Sequence, residues 1–402
     1  MKLQFCFPPP TRIFGSLLAV LSTLLLTRAE AASGAATQIS RQTNGSVYLE
    51  ARGPAGMVYS LQVSNRLLGW RTLDFTNAPT GNAAFLENDA ASTEGSHAYR
   101  VRLESPNTTV TVTDYHGWTN SILLRNPQVE VVIVPAVGRI MQMRFLDQPD
   151  GPFWENTGLQ GAQPAAHSWG TPGSFGGDKA WPSPQTWPWP PPRGFDSMTY
   201  DAVVTNGVVT MTGPVDATFG TRVVRCISLH PTEPILRVAT TFEKISGNAN
   251  QIGVWVITQL KEAQRVYLPI PNNSIFPKGY TALGEVPAGL QVANGLVALS
   301  RDPKAATKIG NDAGALLWVG TNCALLIESA RRPGAAEAGY SDHGCSAEVY
   351  TNPNPTPYIE LELLAPLANL DVGNTAEAVS VYSLFRRTQP TALDEATKIF
   401  AP

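Results

Sequence analysis

Short runs of alternating apolar and polar residues, bounded by Gly, Pro, Asn or Asp, most constrain what this chain can fold into. A period of two is that of a half-buried β-strand, and the bounding residues are typical of turns. A helical period persists only in the last ten residues, where Thr391 is placed to cap one short helix. The sequence therefore predicts an all-β protein. The clearest predicted strands lie at residues 129–135, 221–229, 235–243, 253–260, 315–319, 324–327, 358–364 and 379–385.

Charge and apolar content exclude two classes of protein. The formal net charge is only -3, which argues against a nucleic-acid binder because such proteins present a basic face to phosphates. The chain is 43% hydrophobic and 15% charged, which is too apolar for a disordered protein. The 34 Gly and 33 Pro in 402 residues fit a chain that turns often.

Residues 1–31 have the pattern of a secretory signal peptide. Lys2 and Arg12 supply its positive charge, residues 13–26 are apolar, and Ala29-Glu-Ala31 matches a cleavage site. We expect a secreted protein, or one in the periplasm or cell envelope, without membrane association after cleavage; an uncleaved membrane anchor is the alternative. Export permits disulfides, so either Cys323 and Cys345 form a bridge and leave Cys226 in a predicted strand, or all three are buried thiols.

Two β domains are predicted after the signal peptide. Residues 33–104 alternate like the strands of a small sandwich and resemble the fibronectin-like modules of secreted bacterial proteins, which typically space or anchor. Ser105-Pro106-Asn107 marks the boundary. Residues 110–390 then form a long succession of strands, for which we expect a large antiparallel two-sheet "supersandwich".

Residues 164–195 are the most unusual segment. They contain Trp169, Trp181, Trp187 and Trp189 together with many prolines. A loop of this length is usually functional, and its tryptophans would form a costly apolar patch if they lay free in water. We predict a folded loop that offers flat aromatic faces to a sugar, because Trp supplies a large rigid contact area. The alternative is that these tryptophans cover a sheet.

Several motifs in order resemble one superfamily. Tyr115-His-Gly-Trp-Thr-Asn120 and Val137-Gly-Arg-Ile140 resemble the opening of bacterial proteins of unknown function (DUF4380-like) in the galactose-mutarotase-like superfamily. Gly176-Gly-Asp-Lys-Ala-Trp181, Trp255-Val-Ile-Thr-Gln259 and the run from Tyr358 to Pro366 follow in the expected order. The resemblance covers about residues 110–390 and implies a supersandwich whose concave sheet face binds a mono- or oligosaccharide.

The resemblance also implies where acid/base chemistry would lie. Mutarotases use two His and a Glu on the concave face, and Glu360 and Glu362 occupy a similar late strand here. Residues two apart in a strand share a side, which predicts that both carboxylates face a wet cleft. Asp178 or His343 is the predicted partner of these two catalytic candidates. The two mutarotase His are not matched: Phe175-Gly-Gly-Asp178 replaces the His-Gly-Gly signature, and Thr258 and Gln259 stand where the second His would be expected, which argues against the mutarotase mechanism.

The remaining candidates are predicted to bind the ligand. Arg139 and Lys179 would contact hydroxyls, or would supply the local basic site that an anionic polysaccharide requires. No motif for a cofactor or a metal is found in the sequence. Three functions therefore stay open: a carbohydrate-binding protein, a carbohydrate-active enzyme of the epimerase or glycan-cleaving type, and a structural cell-envelope protein. The full set of predicted ligand-binding residues is Arg139, Lys179, Trp181, Trp169, Trp255, Gln259, Lys308 and Glu348.

Overall fold

The computed structural model describes residues 36–41, 47–64, 69–87, 98–163, 174–196, 198–332 and 339–400. The predicted signal peptide and Trp169 lie outside these residues. The described chain is almost entirely antiparallel β-sheet, as the sequence predicts. Its α-helices are α1 (Arg193–Asp196) and α2 (Ala392–Phe400). No helix in these ranges has both the length and the apolar character needed to cross a membrane.

The N-terminal module consists of two three-stranded sheets. Apolar side chains from both sheets pack into a core of their own, which includes Leu49, Tyr59 and Phe85. One sheet has the order β1-β2-β5 and the other the order β4-β3-β6. Their strands are β1 (Ala36–Arg41), β2 (Val47–Arg52), β3 (Met57–Ser64), β4 (Arg71–Ala78), β5 (Asn82–Glu87) and β6 (Ala98–Glu104).

The larger part of the chain contains two long sheets, and the first of them carries the candidate site. Its strands follow the order β18-β21-β24-β25-β16-β11-β10-β9-β8-β7, and β26 also pairs with β16. The bounds are β7 (Thr109–Tyr115), β8 (Trp118–Arg125), β9 (Val129–Val134), β10 (Arg139–Phe145), β11 (Gly177–Ser183), β16 (Asn250–Leu260), β18 (Thr281–Ala282), β21 (Thr307–Asn311), β24 (Ala347–Thr351), β25 (Ile359–Leu364) and β26 (Ala368–Leu370).

The second long sheet packs against the first. Its order is β12-β13-β14-β15-β27-β23-β22-β17-β20-β19. The core between the sheets takes apolar side chains from both, such as Ile257 and Leu361 from the first and Val238 and Leu325 from the second. The bounds are β12 (Asp201–Thr205), β13 (Val208–Thr212), β14 (Thr221–Leu229), β15 (Ile235–Lys244), β17 (Arg265–Pro269), β19 (Gln291–Ala293), β20 (Leu296–Leu299), β22 (Ala315–Val319), β23 (Cys323–Glu328) and β27 (Thr375–Arg386).

Most predicted strands agree with the structure to within a few residues, but the aromatic segment differs from the prediction. Residues 177–183 are not part of a loop: they form β11, which pairs along its whole length with β16. Pro182 and the flanking glycines mask the strand pattern, because Pro usually marks a turn or a sheet edge. Trp187 is buried, so part of this segment does cover the sheet, as the alternative interpretation expected.

Two smaller predictions are settled by the structure. Helix α2 is capped by Thr391, whose hydroxyl oxygen accepts a hydrogen bond from the Asp394 amide at 3.1 Å. Cys323 and Cys345 are separate buried thiols, so the bridge between them is the wrong alternative.

His230 links the N-terminal module to the second long sheet. Its imidazole is fully buried, its Nε2 lies 2.9 Å from Ser60 Oγ of the module, and its ring packs edge-on against Phe75. Nδ1 accepts the backbone N–H groups of Thr232 and Glu233, which closes the turn that follows β14. Burial, together with nearby Arg102, lowers the pKa of His230 to about 4, so the imidazole is neutral at pH 7.

Candidate functional site

A cleft of about 700 Å³ lies on the outer face of the first long sheet. Five neighbouring strands, β21, β24, β25, β16 and β11, supply most of its floor. Alternation along each strand sends every second side chain into the cleft and the others into the core. The lining residues are Trp154, Ser174, Lys179, Trp181, Gln185, Trp189, Trp255, Gln259, Leu283, Ala306, Thr307, Lys308, Tyr350, Asn352, Thr356, Tyr358, Glu360 and Glu362.

A line of polar residues crosses the floor from strand to strand. Lys308 is opposite Tyr350, Tyr350 opposite Glu360, and Glu360 opposite Gln259. Gln259 donates to the Glu360 carboxylate at 2.9 Å and accepts from the Ser174 hydroxyl at 2.5 Å. The floor therefore presents hydrogen-bonding groups in a fixed register.

Glu362 and Glu348 face each other on adjacent strands and share the Lys308 ammonium. Lys308 Nζ is 2.9 Å from Glu362 Oε2 and 2.6 Å from Glu348 Oε2. Both carboxylates are almost completely buried, and Gly310 makes room for one of them, since a Cβ there would lie 2.9 Å from Glu348 Cγ. Within the described residues, the other Glu348 oxygen, Oε1, has no hydrogen-bond partner.

The ionisation of this cluster reflects competition between burial and charge. Burial raises the pKa of the Glu348 carboxyl well above its usual range, and the Lys308 ammonium opposes only part of this rise. Burial opposes the charge of Lys308, but Glu362 and Glu348 outweigh it and raise the Lys308 pKa above its ordinary value. Lys308 is therefore a cation at neutral pH, held between two carboxyl groups.

Glu360 has the ionisation expected of a proton-transfer group. Burial, followed by the neighbouring charge of Glu362, raises the pKa of Glu360 from 4.5 to about 7. A carboxyl group that titrates near neutral pH exchanges protons readily under physiological conditions. The structure places Glu360 and Glu362 on the same side of β25, as alternation in a strand requires.

Trp181 and Trp255 line the cleft but do not offer free ring faces. They are 7% and 4% exposed, and their indole N–H groups donate to Asp196 at 2.8 Å and to Glu362 at 2.9 Å, respectively. Lys179 Nζ lies 3.7 Å from the ring centre of Trp181, and Lys308 Nζ lies 4.4 Å from that of Trp255. These cations occupy the positions that a stacked sugar would need.

Arg139 and Lys179 are both committed to Asp196. Its Oδ1 lies 3.1 Å from Arg139 Nη2 and 3.2 Å from Lys179 Nζ, and all three side chains are buried. Burial opposes the charge of Asp196, but Lys179 and Arg139 outweigh it and lower the Asp196 pKa. Arg139 also donates to the Gly176 carbonyl at 2.8 Å and does not line the cleft, so it braces the turn instead of contacting a ligand.

Asp178 does not lie in the cleft, contrary to its predicted role as a catalytic partner. It precedes Lys179 on β11 and therefore points the other way, into the core between the sheets. Its carboxylate accepts hydrogen bonds from Thr258 at 2.8 Å and Tyr382 at 2.6 Å and forms an ion pair with Arg225. All four residues are almost completely buried.

The other predicted partner, His343, is exposed and is not a lining residue. Its neighbour Asp342 points toward the site instead, with its carboxylate 3.9 Å from Lys308 Nζ. Asp342 and His343 both adopt left-handed backbone angles, φ 52° and 63°, which sequence reasoning did not foresee. Trp169 lies outside the described residues, so its role stays a prediction.

Several lining residues were missed by the sequence reasoning. Tyr358 stands two residues before Glu360, and Tyr350 two residues after Glu348, so strand alternation alone would have placed both in the cleft. Trp154 has no such signal: it reaches the site through its backbone N–H, which donates to the Gln259 carbonyl at 2.9 Å, and its ring centre lies 4.8 Å from that of Tyr358.

One group in the described part of the chain has the composition of a metal site, outside the cleft. Ligand atoms of Glu104, His230 and Glu233 lie within 4.8 Å of one another. Coordination through His230 Nε2 would move the imidazole hydrogen to Nδ1, where two backbone N–H groups already donate. Arg102 also pairs with both carboxylates. The group therefore does not fit a metal and serves as the contact between the two parts of the chain.

The architecture is similar to that of several solved structures. A galactose mutarotase-like protein from Lactobacillus casei is 10% identical, covers 66% of this chain and 99% of its own, and has a TM-score of 0.47. A galactose mutarotase related enzyme from Lactobacillus acidophilus is 9% identical; the match covers 67% of this chain and 98% of that enzyme, with a TM-score of 0.43. A TPR-domain containing protein from Parabacteroides distasonis is 11% identical, covering 89% of this chain and 56% of its own, with a TM-score of 0.45.

No protein-family model and no curated protein matches the chain. The narrower DUF4380-like assignment therefore stays a prediction. A shared architecture at these identities does not define a ligand or a reaction, so the function has to be inferred from the residues of the cleft.

Proposed function

We propose that the cleft binds carbohydrate. The observation that carries this proposal is the line of hydrogen-bonding side chains on the floor, Lys308, Tyr350, Glu360 and Gln259, flanked by partly exposed aromatic rings. A sugar ring has hydroxyl groups around its rim and apolar C–H groups on its faces. The polar side chains of the floor can hydrogen-bond to the hydroxyl groups, and the aromatic rings can pack against the C–H faces.

Besides Tyr350 of the polar line, the cleft-lining aromatic residues with accessible surface are Trp154, Tyr358 and Trp189, and not the buried pair Trp181 and Trp255. Trp189 is 60% exposed at the rim of the cleft. Trp154 and Tyr358 are half-buried and contact each other. The proposal therefore assigns sugar stacking to these three rings.

A glycan-array screen of the chain without residues 1–31 tests the proposal. We expect binding to a defined set of glycans, with at least about tenfold weaker binding by Glu360→Gln because a carboxylate acceptor is replaced by an amide. Glu377→Gln is the matched control, since Glu377 is also half-buried but lies on β27 of the second sheet. No binding of the wild type to any glycan would overturn the proposal and favour a structural cell-envelope protein.

An enzyme acting on the bound sugar is the second candidate, favoured by the pKa of about 7 at Glu360. As a general base, Glu360 would have to be ionised, so the rate would rise with pH through about 7. Glu362 is the second carboxylate, with its charge balanced by Lys308. Polarimetry of reducing sugars and release of reducing ends from oligosaccharides test epimerisation and cleavage, with Glu360→Gln as the inactive control.

We also propose that the protein is exported after cleavage at Ala31, because residues 1–31 have the pattern of a signal peptide. Edman sequencing of the protein recovered from the periplasm or medium tests this. A start at residue 32 is expected, and full-length chain in the membrane fraction would contradict it.

A further inference from the structure

The cleft has aromatic groups at two separate positions along β16. At one position Trp189 packs against Trp181, with 6.4 Å between ring centres, and Trp181 is the strand partner of Trp255. At the other position the Trp154 amide donates to the carbonyl of Gln259. The two groups therefore lie at the levels of Trp255 and Gln259.

The separation between these levels exceeds one sugar ring. Residues four apart in a strand are about 13 Å apart, since each residue advances about 3.3 Å. This distance between the two backbone levels is longer than a single pyranose ring. The floor between them is continuous and polar, and Glu362 and Glu360 lie along it on the neighbouring strand β25.

The charge of the cleft restricts what the ligand carries. Lys308 pairs with the carboxyl groups of Glu348 and Glu362, and a third carboxyl group, that of Glu360, lines the same cleft. The second cation, Lys179, is already paired with Asp196. A uronate or sulfated sugar would bring a negative charge into a low-dielectric site whose two cations already pair with carboxyl groups of the protein, which is costly.

From this arrangement we infer that the site takes a linear, uncharged oligosaccharide of at least two residues, with Trp189 as the stacking platform for a distal sugar. This inference rests on the proposed function, because it specifies the ligand of the same cleft. Trp189 therefore determines the preferred chain length, and the carboxylates exclude acidic glycans.

Isothermal titration of the chain without residues 1–31 tests the inference. The ligands are glucose, galactose, mannose and N-acetylglucosamine oligosaccharides of one to four residues, together with uronate oligosaccharides of the same lengths. We expect binding to strengthen by about tenfold or more from one to three residues of the best neutral series, and the uronate series to bind at least about tenfold more weakly.

Two variants test whether Trp189 contacts only the distal sugar of a longer ligand. Trp189→Ala is expected to weaken trisaccharide binding about tenfold and to leave monosaccharide binding within about twofold. Leu86→Ala, at an exposed apolar residue of the N-terminal module, is the control and should change neither.

The outcomes distinguish this inference from the proposed function. Equal affinity for one and three residues, equal losses on both in Trp189→Ala, or preference for uronates would overturn the inference while leaving carbohydrate binding intact. No binding of any sugar in the panel would overturn both.

Discussion

Asp178 and Lys179 are consecutive residues of β11, but they belong to two ionic clusters with opposite properties. On the core side, Asp178 meets Arg225, Thr258 and Tyr382, and the donors saturate its carboxylate. On the cleft side, the carboxyl groups outnumber the available cations, and Glu348 Oε1 has no hydrogen-bond partner among the described residues.

The difference shows which cluster serves the fold and which has capacity for a ligand. A buried charge with complete partners resists change, because removing one partner leaves the other unpaired. A cluster with perturbed ionisation and unused hydrogen-bonding capacity is typical of a functional site. Substitutions on the two faces of the sheet should therefore change stability in different ways.

The largest expected effect is on the core side. Asp178→Asn should lower the free energy of unfolding by about 3–5 kcal/mol, because Arg225 would stay buried without its carboxylate. Urea denaturation at pH 7 measures this. The double variant Asp178→Asn/Arg225→Met should recover part of the loss, and a loss below about 1 kcal/mol in the single variant would contradict a structural role.

Lys308→Met tests the charge balance of the cleft. It leaves Glu348 and Glu362 without their shared cation. We therefore expect the free energy of unfolding to fall by about 2–4 kcal/mol at pH 8. The loss should be smaller at pH 5, because burial already raises the pKa of Glu348 and its protonation removes a negative charge that Lys308 would otherwise balance. Denaturation at both pH values checks this, and a deficit that is larger at pH 5 would refute the account.

Glu360→Gln should raise the free energy of unfolding, whereas the substitution of Asp178 on the core side lowers it. The folded-state pKa of Glu360 is raised to about 7 from 4.5, so its stabilising contribution is complete below pH 4.5 and is lost as pH rises to about 7. Relative to the wild type, Glu360→Gln should therefore gain about 1–3 kcal/mol at pH 8 and almost nothing at pH 4. Denaturation curves across this range measure the gain, with Glu377→Gln as control.

Trp189→Ala should have the smallest effect on stability. Trp189 is 60% exposed, so we expect a change within about 0.5 kcal/mol, whereas Trp181→Ala should cost about 3–5 kcal/mol because Trp181 is buried. Thermal denaturation of the two variants gives the comparison. A large loss in Trp189→Ala would mean that this ring supports the fold and would remove it as a specific ligand contact.

Strand periodicity predicted much of this molecule because each alternating run buries one face. It gave most long strands, and it placed Glu360 and Glu362 together on one side of β25. The same rule, applied to residues 177–183, would have sent Asp178 and Lys179 to opposite faces, but Pro182 and the glycines concealed that strand.

Other features depend on contacts that are distant in sequence. The partners of Asp178 come from three other strands, and Trp154 enters the cleft through a hydrogen bond to β16. The pairing of Arg139 and Lys179 with Asp196 joins residues up to 57 positions apart. No local sequence pattern encodes such pairs. The sequence therefore supplied candidate ligand-binding residues without showing which of them already pair with other side chains of the protein.

The central claim is that the cleft retains an unfavourable carboxylate because a ligand uses it. Urea denaturation of the wild type and Glu360→Gln at pH 8, with and without the neutral trisaccharide that binds most tightly, tests this directly, because a ligand stabilises only the state that binds it. We predict that Glu360→Gln is the more stable protein without sugar and that the wild type gains more stability when sugar is added. A less stable Glu360→Gln that gains as much from the sugar as the wild type would contradict the account.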